Sequence, residues 1–266
     1  MSETSIQELQ YCRVEQRGPI TIVTIKRPEV RNALHRPACL ELEEVFDRFA
    51  ADRCAWVAII TGEGDKAFCA GNDLKYQAAG NENTWPRSGF GGLTARLDLD
   101  KPVIAAVNGV ALGGGFEIAL ACDLVIASED AVFALPEPQV GMAAVCGGLL
   151  RLSQQIALKE AMGIILTCRR VCAAEGKSLG FVNEVVAKDQ VLTTALRWAD
   201  EILEASPLAI RAAKALVNAG LSDRAMERIY AQQKQVPAVA ALYASAHRIE
   251  GPKAFAEKRK PVWRGR

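Results

Sequence analysis

The sequence predicts an α/β fold, and three observations carry the prediction. Apolar runs of strand length recur at Trp56–Thr61, from Val103 onward and at Asp123–Ala127. Glycine turns at Gly71 and at Gly113-Gly114-Gly115 follow the first two runs and lead into helix-like segments. Beyond Gly148 the apolar residues fall mainly at helical spacing. With 266 residues, half of them hydrophobic, the chain buries a full core, as one large domain or one domain plus an extension.

In chain order, Gly18–Lys26 (GPITIVTIK) is rich in β-branched residues and reads as a strand ending before Arg27-Pro28. Pro37–Ala51 sets Leu42, Val45, Phe46 and Phe49 on one face of an amphipathic helix. The intervening RPEVRNAL places Arg27 and Arg31 on a polar loop, where ordinary surface charge is the default reading. Trp56–Thr61 is a buried strand, and in GEGDKAFCAGNDLKYQ the second glycine turn precedes Asp73, which is placed to cap a helix. Asn81–Gly92 is rich in turn formers and reads as a loop, either a lid or a connection.

Asp123–Ala127 is the next strand, followed by FALPEPQVGM. Pro136 and Pro138 flank Glu137 and predict a rigid extended turn. Its apolar neighbours Phe133, Ala134, Leu135 and Val140 predict partial burial and a raised pKa. Leu149–Leu166 then reads as a helix, Phe181–Val186 as a short strand, and Val191–Ala205 as a helix with Leu192, Leu196, Ala199 and Leu203 in phase. Pro207 opens another helix, a further one runs from about Asp223 to His247, and the tail EGPKAFAEKRKPVWRGR is basic. Such a tail is a solvated surface or an anion contact.

Composition narrows the function. Lysine plus arginine (32) balance aspartate plus glutamate (31), which gives no support to nucleic acid or a membrane surface as partner. No run is long enough to span a bilayer and the first residues do not resemble a signal peptide, so the expected location is cytoplasmic. Eight cysteines lack metal-ligand or CxxC spacing and read as buried reduced thiols. Only His35 and His247 supply imidazoles, so no metal is expected and carboxylates and backbone donors must carry any chemistry.

Val103–Cys122 (VIAAVNGVALGGGFEIALAC) concentrates that chemistry. A strand, a glycine turn and a helix start present unpaired N–H donors and a partial positive charge. Glu117 stands one turn beyond Gly114 on about the same side of the helix. The rival dinucleotide fingerprint Gly-x-Gly-x-x-Gly fails at its last glycine, because Ile118 stands there. The bland alternative is a helix packed tightly on its strand, with Glu117 merely solvated. Asn72, just after Gly71, is a candidate second backbone donor, and two donors converging on one carbonyl oxygen would form an oxyanion hole.

Taken in order, CAGNDLK, AAVNGVALGGGFEIALACD, FALPEPQVG and EGPKAFAEKRKPVWRGR resemble the crotonase (enoyl-CoA hydratase/isomerase) superfamily over nearly the whole chain. Within it the motifs look closest to bacterial enoyl-CoA hydratases and carnitinyl-CoA dehydratase-like members. The resemblance implies a ClpP/crotonase-like spiral of ββα units over residues 1–200 and a C-terminal helical region over 201–266 that builds homotrimers or hexamers. It implies an acyl-CoA thioester as substrate, with coenzyme A carried as part of that substrate and no separate cofactor.

By the same resemblance the thioester oxygen is held by the N–H groups of Asn72 and Gly114, Glu117 acts mainly as base, and Glu137 mainly as acid. Arg31 and Lys75 fall where relatives place cations near the CoA phosphates, and the Ala70 carbonyl where adenine is bound. Ala33, Gly71, Asp73, Leu74, Leu112, Gly113, Pro136 and Val145 line the expected substrate site, with Phe255 and Lys258 reaching the CoA of a neighbouring subunit. One departure is expected to matter. Ala144-Val145 replaces a Pro-Gly loop that helps hold the catalytic water in many hydratases, and the Val145 Cβ is expected to narrow the pocket. Substrates in view are straight-chain 2-enoyl-CoA and, as an alternative, carnitinyl-CoA; an isomerase or a non-catalytic acyl-CoA-binding subunit stands behind them.

Overall fold

The computed structural model describes residues 4–82, 84–222, 237–247, 250, 254, 257, 259 and 262–264. The chain opens with an antiparallel meander of β1 (Thr4–Glu8), β2 (Cys12–Arg17) and β3 (Ile20–Ile25). Only β3 was legible beforehand, because TSIQE and CRVEQR are too polar to read as strands. Helix α1 (Arg36–Ala51) follows, N-capped by the His35 ring accepting from the Ala38 N–H at 3.4 Å, with Leu42, Val45, Phe46 and Phe49 buried as expected.

Three steps of the same kind come next. β4 (Val57–Gly62) is followed by β5 (Ala67–Cys69) and α2 (Leu74–Ala78). β6 (Val103–Val107) is followed by β7 (Val110–Leu112) and α3 (Gly114–Ala121). β8 (Leu124–Ser128) and β9 (Val132–Ala134) then lead through a tight turn to α4 (Gly148–Gln155). The first strand of each step lies in a seven-stranded sheet, ordered β1-β2-β3-β4-β6-β8 and closed by β11 (Glu184–Val186); β3 to β11 run parallel. The second strand lies in a four-stranded sheet of β5, β7, β9 and an antiparallel β10 (Val171–Cys172). This alternation is the expected spiral of ββα units.

The switch between sheets needs a tight corner. At Asn108-Gly109 the Asn108 amide donates to the Gly62 and Gly64 carbonyls, each at 2.8 Å, and accepts from the Gly62 N–H at 3.2 Å. Gly109 has no room for a side chain, since a Cβ would sit 2.6 Å from the Lys66 carbonyl oxygen. Strands β3, β4 and β6 are buried on both faces, which explains their unbroken apolar runs. One face packs on α1 and α3. The other face, through Ile22, Val57, Ile59 and Ile104, meets Val191, Ala195 and Ala199 of α7 (Val191–Leu203).

Two expectations are corrected, and one helix went unread. Leu149–Leu166 is two helices, α4 and α5 (Leu158–Thr167), broken where Ile156 turns extended; no glycine or proline marks the break. α6 (Ala173–Leu179) was not read at all. Glu137 does not sit in an extended turn: it opens a 3-10 turn, Glu137–Val140, because prolines at the start of a helical turn sacrifice no needed N–H. α8 (Pro207–Ser222) starts where Pro207 predicted and is tied to the core by Arg211, bidentate to Asp100 at 2.9 Å, and by Lys214 to Asp123 at 2.7 Å. Of the expected helix from about Asp223 to His247, Pro237–Ala244 is a helix, and much of the rest lies outside the described residues. Among the described residues no helix is long and apolar enough to cross a membrane.

Candidate active site

The site forms where the two glycine turns meet. Gly71, at φ +91°, approaches the second turn so closely that a Cβ there would lie 2.6 Å from the Leu112 carbonyl oxygen and 3.2 Å from the Gly114 nitrogen. Only glycine fits both the angle and the approach. Convergence of the turns, which the sequence left open, is therefore a feature of the fold.

The aim of Asn72 follows from its neighbours. Residues 70–73 pair with residues 31–34 of the loop before α1: Ala70 N–H donates to Arg31 O at 3.0 Å, Leu34 N–H to Gly71 O at 2.8 Å, and Asp73 N–H to Leu34 O at 2.8 Å. In such a bridge the backbone groups of Asn72 point away from Leu34, so its N–H faces out of the ladder. Gly114 is the first residue of α3, after Gly113 at φ +52°, and its N–H is one of the donors a helix start leaves unpaired. Among the described residues neither N–H donates to a protein acceptor.

Two carboxylates flank this pair. Glu117, on the first turn of α3, is only 3% exposed, and its Oε1 accepts from the Gly148 N–H at 2.9 Å. Burial is the main cause that pushes its carboxyl up to about 7; the Gly148 N–H opposes this, the Glu137 charge reinforces it, and the Cys146 backbone and Arg151 lower it. Glu137 lies over the glycine turn, where a Cβ on Gly113 would meet its Oε1 at 2.6 Å. Burial raises its carboxyl too, and its Oε2 is buried without a protein partner. The arrangement offers two carboxyls of raised proton affinity and two free N–H donors, a set suited to moving protons at carbons beside a polarised carbonyl.

The other expected residues spread over an adjoining strip. Arg31 is exposed in a left-handed conformation (φ 55°), Ala33 is buried, and Ala70 is half-buried beside them. Asp73 caps α2, accepting from the Tyr76 N–H at 3.1 Å, while Leu74 and Lys75 are exposed on that helix. Leu112 borders Gly71, and Pro136 caps the turn that carries Glu137. Val145 is 79% exposed and its N–H donates to the Ala143 carbonyl at 2.8 Å. Its side chain thus stands in solvent, and its N–H is engaged within its own loop. Phe255 and Lys258 lie outside the described residues.

Several contributors escaped sequence reasoning. Gly148 supplies the donor to Glu117 and tolerates no Cβ, which would fall 2.8 Å from Glu117 Cγ. Phe90 packs on the second turn, where a Cβ on Gly114 would meet its ring at 2.4 Å, and Trp85 edges onto Phe90 with ring centroids 4.9 Å apart. Phe90–Gly92 is accordingly a buried wall; Gly91 donates to Cys39 Sγ at 3.3 Å and Gly92 abuts the Leu42 and Glu43 backbone. Arg151 is half-buried and donates to the Thr94 carbonyl at 2.8 Å, close enough to lower the Glu117 pKa. None of these carries a motif readable without the third dimension.

Known proteins resemble this chain along its length. A curated carnitinyl-CoA dehydratase of Proteus mirabilis is 41% identical over 264 residues, covering 97% of this chain and 99% of that protein. A carnitinyl-CoA dehydratase of Citrobacter koseri is 43% identical over 256 residues, covering 94% and 96%. Among solved structures, an enoyl-CoA hydratase from Mycobacterium tuberculosis superposes with a TM-score of 0.90 at 38% identity, covering 96% of this chain and 99% of that one. A carnitinyl-CoA hydratase from Mycobacterium avium does so with a TM-score of 0.77 at 38% identity, covering 97% and 100%. The profile described as "Enoyl-CoA hydratase/isomerase" matches residues 15–266, and with the spiral fold and full-length identity this shows that the chain belongs to that family.

Proposed function

We propose that this protein is a hydro-lyase that adds water across the 2,3 double bond of a 2-enoyl-CoA thioester and removes it again from the 3-hydroxyacyl product. The observation that carries the reading is the pairing of Glu117, poised near neutrality, with Glu137 over the glycine turn that bears the Gly114 N–H. In hydration Glu117 takes a proton from water as the oxygen bonds to C3. The electron pair moves onto the thioester oxygen, where the Asn72 and Gly114 N–H groups hold the enolate. Glu137 then gives a proton to C2. The two carboxyls exchange roles in dehydration, and the split between them belongs to the pair. An oxyanion donor of this kind is worth roughly 3 kcal/mol of barrier.

For the acyl group we favour the trimethylammonium chain of carnitinyl-CoA, dehydrated to crotonobetainyl-CoA, over a straight chain. The curated relatives bear that name at 41% and 43% identity. The half-buried Trp85, stacked edge-on against the Phe90 wall of the site, supports it as an aromatic face for a quaternary ammonium. The test is loss of enoyl-thioester absorbance across crotonyl-, hexenoyl-, decenoyl- and crotonobetainyl-CoA, with Trp85→Ala beside the wild type. Preference for crotonobetainyl-CoA, reduced at least about tenfold by Trp85→Ala, is expected. Equal or better turnover of straight chains by both proteins would return the assignment to a fatty enoyl-CoA hydratase.

A further inference from the structure

Arg27 was read from the sequence as surface charge, and the structure places it elsewhere. Its side chain is 12% exposed, with Nη2 bonded to Asp73 Oδ2 at 3.0 Å and Nη1 donating to the Ala33 carbonyl. The guanidinium carbon lies 5.9 Å from the centroid of the Tyr11 ring. The backbone that bears it is fixed as well. Arg27 N–H donates to Asn32 Oδ1 at 3.0 Å, and its carbonyl accepts from Asn32 N–H at 2.8 Å. Asn32 is fully buried and left-handed (φ 56°), and its amide is anchored to the Glu63 and Ala67 carbonyls at 3.0 and 2.8 Å.

The two acceptors of the Arg27 fork belong to the two segments that frame Asn72. Ala33 lies in the loop whose next residue, Leu34, bridges to Asn72; Asp73 is the residue after Asn72 and the cap of α2. A planar guanidinium spans both at fixed spacing, whereas an ammonium is a point charge that cannot hold two divergent acceptors in the same plane. We infer that Arg27 is a positioning residue for the oxyanion hole: its buried fork sets the direction of the Asn72 N–H. It touches no reacting atom. The inference rests on the reading of Asn72 and Gly114 as oxyanion donors, and it adds a control point that bonds to neither glutamate.

The experiment binds a conjugated dienoyl thioester, 2,4-hexadienoyl-CoA, whose ultraviolet band moves to longer wavelength when its carbonyl is polarised. Wild type, Arg27→Lys and Asp73→Asn are compared for this shift, for kcat and KM on the preferred enoyl-CoA, for the pH profile of kcat and for the melting temperature. Asn at 73 keeps the helix cap while losing the charge, so it stands in if Arg27→Lys does not fold. We expect both variants to show a reduced band shift and a kcat lower by about 100-fold, the scale of a misdirected donor. KM should change far less than kcat, and the pH profile should keep its shape because the glutamates are untouched. A full-sized shift in folded variants, whatever their kcat, would overturn the inference. Absence of any shift in the wild type would instead overturn the oxyanion reading itself, and the role of Arg27 with it.

Discussion

At the scale of the residue, Glu117 joins function to stability. Its carboxyl is pushed from 4.5 up to about 7 in the folded protein, chiefly by burial. A group whose folded pKa is raised stabilises the fold fully below its unfolded pKa and loses that contribution as pH rises through the folded value. Ionised Glu117 therefore weighs against the fold above pH 7, by about 3 kcal/mol. Glu117→Gln, which keeps an acceptor for the Gly148 N–H, should be the more stable protein at pH 8 and equal to the wild type near pH 4, as read by urea midpoints. A difference independent of pH would count against this account. The wild-type hydration rate should rise as pH passes through about 7, because the base must be ionised. Both glutamates were visible in the sequence through their spacing from the glycines and prolines. The partial burial of Glu137 was legible too, from its apolar neighbours, whereas the deep burial of Glu117 was not, because Gly148 packs against it from a distant stretch of chain.

At the scale of the element, what the sequence disclosed depended on where each signal is encoded. Strands buried on both faces, such as β4 and β6, announce themselves as apolar runs, and α1 and α8 carry helical periodicity or a proline start. β1 is exposed, β2 is half-exposed and both are polar, while α6 is short, so none of them has a local pattern to read. The contact between α3 and α4, through which the Gly148 N–H holds Glu117, is likewise invisible beforehand. Gly148→Ala tests it: a Cβ 2.8 Å from Glu117 Cγ must displace the carboxylate or the helix start. We expect kcat to fall at least about tenfold with CoA affinity little changed, since crowding of this kind costs about 1–3 kcal/mol. Unaltered kcat would show that the α4 contact does not orient Glu117.

At the scale of the whole molecule, the ββα spiral brings two turns more than 40 positions apart, at Gly71 and Gly114, into contact. The sequence supplied both turns and the family resemblance supplied their meeting; composition and periodicity alone could not. Large apolar side chains stand exposed along α4, α5 and α8, including Leu150, Leu158, Leu166, Val217 and Leu221. We propose that they are covered by further copies of the chain, as the expectation of a homotrimer or hexamer requires. Light scattering on the eluting protein should then give about three or six times 28.7 kDa. A mass of one chain would refute the assembly and leave those surfaces unexplained.

We propose that Glu117 and Glu137 act together on an enoyl thioester held at Asn72 and Gly114. This is tested most directly by the rate at which enoyl-thioester absorbance is lost, for wild type, Glu117→Gln and Glu137→Gln, with CoA-ester binding measured alongside. The account predicts turnover by the wild type and a loss of about 100- to 10,000-fold in each variant, with binding retained. A variant that hydrates at the wild-type rate, or a wild type that binds the thioesters and turns none of them over, would contradict it.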